Sequence, residues 1–353
     1  MTSYPRVAGW GKYLPSKVLT NKDLESRVDT SDEWIFSRTG IKERRIASDE
    51  ETSSTMATEA ARAALRCAGV TPDQVDLIIV ATSTPERIFP ACAAYVQEGL
   101  GAHHAAAFDV NAACTGFIYA LASGWQFVAA GSYRNVLVIG SEVYSRILDW
   151  SDRATCILFG DGAGALLLQG ADAPEGPSAF VLGNDGSGAG LLYVPGVCDR
   201  PAAATTSHYL RMNGSDVFRF AVSVTTEATR QVLDRVGLDV GDIDLLIPHQ
   251  ANQRIISAAR RALGIPEEKV FVNVERLGNT SAASIPIALC EAAEQERLRP
   301  GDRLVLVGFG GGLSWGAMLF CWQPVARQLQ AASVTDGQAE QLEGARWKGG
   351  KPR

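Results

Sequence analysis

The features that this sequence lacks argue against several classes of protein. It has no run of about 20 uninterrupted apolar residues, the length of a bilayer-spanning helix, so we expect no membrane span. Its first residues, MTSYPRVAGWGKYLP, lack the basic stretch and apolar run of a secretory signal. The chain carries 33 basic and 39 acidic side chains, a net charge of −6, which argues against a broad nucleic-acid surface.

Cysteine and histidine are scarce and scattered. The seven Cys form an odd set without paired spacing, which together with the missing signal predicts a reduced, cytoplasmic protein. Among the Cys and the four His, only the adjacent His103 and His104 stand close together in sequence, and we expect them to be solvated in a loop. The sequence therefore predicts no metal site.

The chain does contain enough apolar material for a large core. Hydrophobic residues make up 46% of its 353 residues, and this length predicts two domains or two fused halves. Short apolar runs predict buried strands, expected to be parallel, at 75–82, 136–140, 163–169, 243–248 and 304–308. They alternate with helical patterns, which predicts an α/β fold. The helices are expected at 52–69, 223–237, 252–264 and 282–297.

The second half of the chain repeats features of the first. CAGVTPDQVDLIIV (67–80) resembles RVGLDVGDIDLLIP (235–248), and VLVIG from 136 resembles LVLVG from 304. Both pairs are offset by 168 residues, as are Asn111 and Asn279. Generic α/β strand patterns are one explanation, and a fused duplication with halves at 1–172 and 173–325 is the other, which the recurring offset favours. The polar segment 326–353 is expected to be a weakly ordered extension.

Two residues stand where α/β folds place their chemistry. His249 follows the apolar strand LLIP and precedes a helix, so it is either functional or a partner for a helix terminus. Cys114 lies between the strand AAFDV and the helical segment that starts in NAACTGF. A helix N-terminus lowers a thiol pKa, so we expect a reactive thiolate there; the alternative is a buried packing Cys.

Two Gly-rich segments could support such a nucleophile. GFGGGLSWG (308–316) follows a strand, and consecutive glycines allow backbone N–H groups to converge on an oxyanion. GNTSAASIP (278–286) places Asn279 before a helix rich in small residues. Neither segment has the Lys-Ser/Thr ending of a phosphate-binding P-loop.

The motifs NAACTGF, PHQAN and GNTSAAS, in that order, resemble β-ketoacyl-acyl carrier protein synthase III of the thiolase superfamily. The segments SDEWIFSRTGIKERR, FGDGAGA and GFGGGLSWG extend the resemblance to about Pro324. It implies a duplicated thiolase fold in five layers, α-β-α-β-α. It also implies a cytoplasmic, homodimeric acyltransferase that starts fatty acid synthesis by condensing a short acyl-CoA with malonyl-acyl carrier protein. These two thioesters are substrates, and no permanently bound cofactor is implied.

The resemblance also assigns roles to individual residues. Cys114, His249 and Asn279 match the catalytic triad, with Gly311 as an oxyanion donor and Phe309 beside the carboxylate that is lost. The residues that match the CoA site are Trp34, Arg38, Arg153 and Asn252, while Ser215 departs from the Asn of some relatives. Docking of an acidic carrier protein is assigned to Arg219, Arg254, Arg260 and Arg261, for which ordinary solvated charges are the alternative.

Primer choice rests on a single aromatic residue. Phe89 matches the residue that reaches into the acyl pocket of the other subunit, where a large ring favours short primers such as acetyl. The alternatives are a condensing enzyme or acyltransferase of specialised metabolism with another primer or acceptor, and a non-catalytic partner protein. The intact triad disfavours the last of these. GFGGG lacks the second Cys that a thiolase proper needs as its acid/base.

Overall fold

The computed structural model describes residues 3–196 and 208–323, and the predicted extension at 326–353 lies outside them. The strands are β1 (Tyr4–Tyr13), β2 (Lys17–Thr20), β3 (Glu43–Ile46), β4 (Leu77–Ala81), β5 (Ala106–Val110), β6 (Asn135–Glu142), β7 (Gly162–Ala171), β8 (Ala179–Asn184), β9 (Leu192–Tyr193), β10 (Arg211–Met212), β11 (Leu245–Pro248), β12 (Arg303–Gly310) and β13 (Ser314–Cys321). The helices are α1 (Asn21–Glu25), α2 (Asp32–Thr39), α3 (Ser53–Ala68), α4 (Cys92–Leu100), α5 (Gly116–Ala129), α6 (Arg153–Cys156), α7 (Gly214–Asp234), α8 (Gln253–Leu263), α9 (Val274–Leu277) and α10 (Ser284–Glu294).

Two sheets, of five and four strands, form the frame of the molecule, and four strands follow the same order in both. The first sheet has the order β1-β7-β6-β4-β5, and the second has the order β8-β13-β12-β11. The strands β4 and β6 are parallel, as are β11 and β12. The strand predicted at 163–169 is present as β7, but it is antiparallel to both β1 and β6. The expectation of a parallel strand was wrong, because a continuous apolar run indicates that both faces of a strand are buried but does not indicate the direction of the strand.

Helices cover both sheets in five layers. The middle layer holds α5 and α10, which pack between the two sheets. The helices α3 and α4 cover the outer face of the first sheet, and α7 covers the second with α8 packed against it. This is the expected α-β-α-β-α arrangement. It places the N-termini of the two central helices between the sheets, where each half supplies residues to a shared centre.

The two halves also share a specific contact at the 168-residue offset. The carboxylate of Asp76 accepts the backbone N–H of Asn135 at 2.8 Å, at the start of β6. The carboxylate of Asp244 accepts the backbone N–H of Arg303 at 2.9 Å, at the start of β12. One acidic residue thus fixes the start of the neighbouring strand in each half. The repeated contact supports a duplication, while the boundaries 1–172 and 173–325 stay a prediction.

The helix predictions differ from the structure mainly at the helix ends. The helices α3 and α8 lie within one residue of the predicted limits. The helix α7 begins at Gly214, earlier than residue 223, because the Asn213 side chain accepts the N–H of Asp216 and caps it there. Within the described parts of the chain, no helix is long and apolar enough to cross a membrane.

Candidate active site

Cys114 lies at a sharp turn between β5 and the central helix α5. A short 3₁₀ turn, Ala113–Thr115, joins the two elements, and Ala113 has a φ of +46°, in the left-handed region. This turn directs the chain from the edge of the first sheet into the middle layer. Cys114 is only 4% exposed, so its sulfur is reached only through cavities.

The second half of the chain brings His249 and Asn279 to the same place. His249 follows β11, and Asn279 precedes a 3₁₀ turn, Ser281–Ala283, at the start of α10. Their exposed fractions are 1% and 6%. Both residues and Cys114 line one cavity of about 370 Å³. The structure therefore brings the three predicted catalytic residues together from both halves, while their roles stay predictions.

The imidazole of His249 is held in one orientation by a serine hydroxyl. Its Nδ1 lies 2.6 Å from Oγ of Ser284, and that oxygen also accepts the backbone N–H of Gln250 at 3.4 Å. When Ser284 donates its proton to Nδ1, the ring proton is on Nε2. Nε2 is buried and has no hydrogen-bond partner among residues 3–196 and 208–323. An N–H group is therefore available to an acceptor in the cavity.

Burial also determines the charge of this ring. Desolvation lowers the pKa of His249 from its ordinary 6.5 to about 3. The imidazole is neutral at physiological pH, and it can donate a hydrogen bond without carrying a charge. Asn279 is oriented in a similar way, since its Oδ1 accepts the N–H of Ser281 at 2.8 Å. This bond leaves the carboxamide NH₂ as the group that can donate to a ligand.

The predicted low pKa of Cys114 is wrong for this structure. Burial raises the pKa of the thiol to about 11, and the nearby Glu142 carboxylate adds to the rise. Hydrogen bonds from Ser281 and Tyr144 act in the opposite direction. The helix N-terminus does not overcome the loss of solvation around an enclosed sulfur. Cys114 is therefore a thiol at rest, and its proton has to be removed when the sulfur reacts.

The Gly-rich segment closes over the nucleophile. A Cβ on Gly310 would lie 2.8 Å from the backbone N of Cys114, so only glycine permits this approach of β12. Gly311 follows at the turn and lines a cavity together with Cys114. The ring of Phe309 packs edge-on against His249, with centroids 5.3 Å apart. Gly310 and Gly311 thus bring their backbone close to the triad, and Phe309 presents an apolar face to it.

Four residues predicted to bind CoA cluster at one side of the 370 Å³ cavity. Trp34, Arg38 and Asn252 line it, and Arg153 stacks over the Trp34 ring, with its Cζ 4.8 Å from the ring centroid. Arg153 also donates to the carbonyl of Asp29 at 2.7 Å. An adenine could enter between Arg153 and Trp34 only if the guanidinium moved away from the ring.

Asn252 has a structural role as well as a place in the cavity. Its Oδ1 accepts the N–H of Arg254 and caps α8, while its Nδ2 donates to the carbonyl of Arg38 at 3.3 Å. Ser215 lies beside the cavity residue Gly214, and its hydroxyl donates to Oδ1 of Asn213 at 3.0 Å.

A second cavity, of about 520 Å³, opens on the other side of Cys114. It is lined by apolar and small residues that include Val110, Ala112 and Leu192, and by the hydroxyl groups of Ser83 and Tyr144. Its rim reaches the end of β5, an edge strand whose residues are half-buried or exposed. Phe89 lines neither cavity and is 82% exposed, while its role at a subunit interface stays a prediction.

The four predicted docking arginines fall into two groups. Arg219 and Arg254 are exposed near the CoA side of the 370 Å³ cavity, and Arg254 lies over the ring of Phe218, which lines that cavity. Arg260 and Arg261 lie in the last turn of α8. Arg260 is half-buried and donates to the carbonyl of Ile265 at 3.1 Å, so it also stabilises the end of its helix.

Sequence reasoning missed three polar residues around the triad. Ser284 orients His249, and the pair Glu142 and Ser281 is joined by a hydrogen bond of 3.1 Å beside Cys114. Ser281 and Ser284 belong to the motif GNTSAAS, but small polar residues in a helix start have no distinctive pattern. Glu142 ends a strand whose eight residues are all buried. A carboxylate in a buried strand is unusual, and this could have marked Glu142 as a candidate functional residue.

Comparisons with known proteins agree over most of the chain. The family model of 3-oxoacyl-[acyl-carrier-protein (ACP)] synthase III matches residues 108–186, and its C-terminal counterpart matches residues 233–322. The β-ketoacyl-[acyl-carrier-protein] synthase III of Desulfitobacterium hafniense (strain DSM 10664 / DCB-2) is 54% identical over 321 residues, which cover 90% of this chain and 97% of the relative. The synthase III 1 of Bacillus anthracis is 50% identical over 316 residues, covering 90% and 98%.

Solved structures show the same architecture. The 3-oxoacyl-[acyl-carrier-protein] synthase III of Aquifex aeolicus VF5 has a TM-score of 0.85 and 48% identity, covering 90% of this chain and 100% of that one. The priming β-ketosynthase of the R1128 polyketide pathway has a TM-score of 0.87 and 38% identity, covering 91% and 97%. Fold and site together define an acyltransferase of the condensing-enzyme class with the thiolase fold. Within that class, the chain belongs to the β-ketoacyl-[acyl-carrier-protein] synthase III family, which confirms the resemblance seen in the motifs.

Proposed function

We propose that this enzyme condenses a short acyl-CoA with malonyl-acyl carrier protein through an acyl-Cys114 intermediate, and so forms a 3-oxoacyl-acyl carrier protein. Its family supports the coarser function, the initiating condensation of fatty acid synthesis. The observation that carries the proposal is the meeting of Cys114, His249 and Asn279 in one cavity, with Trp34 at its CoA side. A thioester bound in this cavity would face the nucleophile and two neutral hydrogen-bond donors.

In the first half-reaction, Sγ of Cys114 attacks the carbonyl carbon of the acyl-CoA. The negative charge moves to the carbonyl oxygen, and the backbone N–H groups of Cys114 and Gly311 are the donors we assign to it. Loss of one such donor typically costs about 10²–10³ in rate. The tetrahedral intermediate then expels CoA and leaves the acyl group on the sulfur.

In the second half-reaction, malonyl-acyl carrier protein takes the place of CoA. Nε2–H of His249 and the carboxamide of Asn279 donate to its thioester carbonyl, so the charge released by loss of CO₂ is stabilised as an enolate. Phe309, packed against His249, presents an apolar face that disfavours the malonyl carboxylate and favours neutral CO₂. The α-carbon then attacks the acyl-Cys114 carbonyl and displaces the sulfur.

Residues at the 370 Å³ cavity and on α8 fit the two molecules that carry the thioesters, CoA and the acyl carrier protein. Trp34 and Arg153 are proposed to hold the adenine of CoA by stacking, with Arg38 on its phosphates and Asn252 on pantetheine. Arg219 and Arg254 stand near the same cavity, where they would attract an acidic carrier protein. Arg260 and Arg261 extend this basic surface along α8.

The second cavity is the proposed acyl site. Its rim lies at the end of β5, an unpaired edge strand of the kind that proteins cover by assembly. We propose a homodimer formed along this edge, in which Phe89 of one subunit closes the acyl cavity of the other and limits the primer to short chains. Turnover with acetyl-, isobutyryl- and octanoyl-CoA tests this, and a preference for octanoyl-CoA would contradict it.

A second candidate is a condensing enzyme or acyltransferase of specialised metabolism. The similarity to the R1128 priming β-ketosynthase, at 38% identity, favours it. The same comparison of primers, run with malonyl-acyl carrier protein as extender, separates the two, because a preference for a primer other than the short straight chain favours the second candidate.

The decisive experiment is to incubate the protein with radiolabelled acetyl-CoA and locate the label by peptide mapping. We expect it on Cys114 and expect none in Cys114→Ala. Label on another residue, or none at all, would remove the proposed mechanism.

A matched experiment separates the two half-reactions. In Asn279→Ala, Cys114 should still accept the acetyl group, while decarboxylation of malonyl-acyl carrier protein should be impaired. Loss of acetyl transfer alone would contradict the role assigned to Asn279.

A further inference from the structure

Glu142 is a buried carboxyl group next to the nucleophile that the mechanism above does not use. It is 0% exposed at the end of β6. Its Oε2 accepts hydrogen bonds from Thr84 Oγ1 at 2.7 Å, Ser83 N at 3.0 Å and Thr82 Oγ1 at 3.3 Å. Its Oε1 lies 3.1 Å from Oγ of Ser281. All four partners are hydroxyl or amide groups, so none of them neutralises a carboxylate.

Ser281 connects this carboxyl group with the reacting sulfur. It is fully buried and has a φ of +49°, a left-handed conformation that the bond from its N–H to Asn279 Oδ1 helps to hold. Its turn packs against the turn that carries Cys114, and its hydroxyl, as a partner of the thiol, lowers the thiol pKa. Tyr144, which lines the acyl cavity with Cys114, is a second such partner. The Ser281 hydroxyl thus bonds to Oε1, and the turn that carries it packs against the turn of the reacting sulfur.

The thiol, phenol and imidazole groups around this chain of atoms are uncharged at neutral pH, and the carboxyl groups of Glu86 and Asp109 act on the Cys92 thiol. Burial raises the pKa of Cys114 to about 11, and it raises those of the Tyr144 phenol and the Cys92 thiol above their usual ranges. His249 is neutral because its pKa is lowered to about 3. Burial raises the pKa of Glu142 to about 7, so in this set it is the group that changes charge near physiological pH.

We propose that Glu142 receives the proton of the Cys114 thiol through the hydroxyl of Ser281. As Sγ bonds to the acyl carbon, the thiol proton moves to Ser281 Oγ, and the Ser281 proton moves to Glu142 Oε1. CoA leaves as a thiolate and takes its proton from solvent. When condensation later releases the Cys114 sulfur, the two protons return along the same path. In this relay Ser281 is the group that contacts the reacting sulfur, while Glu142 is a positioning residue that acts through it.

The proposed relay also removes an electrostatic cost. A thiolate beside an ionised Glu142 would be destabilised by like-charge repulsion, whereas proton transfer leaves Glu142 neutral at the moment when the sulfur carries charge. Ser281, having accepted one proton and passed on another, then donates to the sulfur. The inference rests on acylation of Cys114, and its test has to separate the two.

The test compares the pH dependence of two reactions of Cys114 between pH 5.5 and 9. These are single-turnover transfer from acetyl-CoA, and alkylation by iodoacetamide, which does not require the proposed function. In the wild-type protein both rates should rise with a midpoint near 7, as Glu142 becomes able to accept a proton. In Glu142→Gln that midpoint should disappear, and acetyl transfer at pH 7.5 should fall about 100-fold, the usual scale of a lost general base.

Two further variants keep the test decisive. Ser281→Ala interrupts the relay without altering the carboxyl group. It should also remove the midpoint near pH 7 from both rate profiles. This variant replaces Glu142→Gln in the test if Glu142→Gln does not fold. Asp161→Asn is the matched control, because Asp161 is equally buried and accepts bonds from Ala47 N and from Ser145 N and Oγ. It should keep the wild-type profile.

The outcomes distinguish the inference from the proposed function. Absence of acetyl label on wild-type Cys114 would defeat the proposed function, whatever the alkylation shows. Normal labelling together with a retained midpoint near 7 in Glu142→Gln or in Ser281→Ala would overturn the relay. Slower reaction with an unchanged midpoint would also overturn it, because a merely structural role changes the rate and not the titrating group.

Discussion

The hydroxyl of Ser284 lies 2.6 Å from Nδ1 of His249 and also accepts the backbone N–H of Gln250. With Ser284 as the donor to Nδ1, the ring proton is on Nε2, which is buried at the cavity. A neutral imidazole with a fixed tautomer is a hydrogen-bond donor that needs no reorganisation when charge develops on a substrate oxygen.

Ser284→Ala should slow malonyl decarboxylation while Cys114 still accepts the acetyl group. The variant loses a hydrogen bond of about 1 kcal/mol and allows both tautomers, so we expect a decarboxylation rate roughly 5- to 10-fold lower. ¹⁵N NMR of the imidazole should show a mixture of tautomers in place of one. Ser123→Ala, which removes a hydroxyl bonded only locally to the Tyr119 carbonyl, is the control. An unchanged ¹⁵N spectrum in Ser284→Ala would contradict this account.

His249 should make the protein less stable in acid. In the folded state its pKa is about 3, whereas in the unfolded chain it is 6.5, so below pH 6.5 the unfolded state binds one more proton. The free energy of unfolding should therefore fall as pH decreases from 6.5 toward 3, by about 1.4 kcal/mol per pH unit. His249→Gln lacks this contribution and should show a shallower slope in urea unfolding between pH 6 and 4. Parallel slopes would show that the ring is already charged in the folded protein.

Gly310→Ala should displace the nucleophile. The added methyl group would lie 2.8 Å from the backbone N of Cys114, where no atom can give way cheaply. A shift of about 1 Å at a reacting atom can reduce the rate about 100-fold, and we expect that loss in acetyl transfer. Gly186→Ala is the matched control, since a Cβ there meets no atom of the described residues within 4 Å. Equal acetylation rates in the two variants would show that β12 does not set the position of Cys114.

Arg254→Glu should weaken the carrier protein and spare CoA. The reversed charge stands by the cavity that both thioesters use, so we expect KM for malonyl-acyl carrier protein to rise about tenfold and to depend less on salt. Acetyl transfer from acetyl-CoA should stay near the wild-type rate. Arg62→Glu, on the outer helix α3, serves as the control for a reversed surface charge. Equal effects of the two variants would argue for general repulsion instead of docking.

The strands and helices that frame the site could be predicted from local patterns. The apolar runs at 136–140 and 304–308 became β6 and β12, and the Thr-Ser start and Gly end of 52–69 correspond to the cap and end of α3. The direction of β7 could not be predicted in this way, because direction depends on which strands lie beside it. The early start of α7 was missed because a single side chain, Asn213, decides it.

The sequence by itself determined the order of the motifs, the single cysteine at a strand-to-helix junction and the repeat that brings two such junctions to one centre. Only the tertiary structure decided how those groups ionise. It enclosed the Cys114 sulfur, which raised its pKa instead of lowering it, and it joined Glu142 to Ser281, 139 residues apart in the chain. Desolvation and long-range hydrogen bonds depend on everything that surrounds an atom, and no local pattern of residues contains that information.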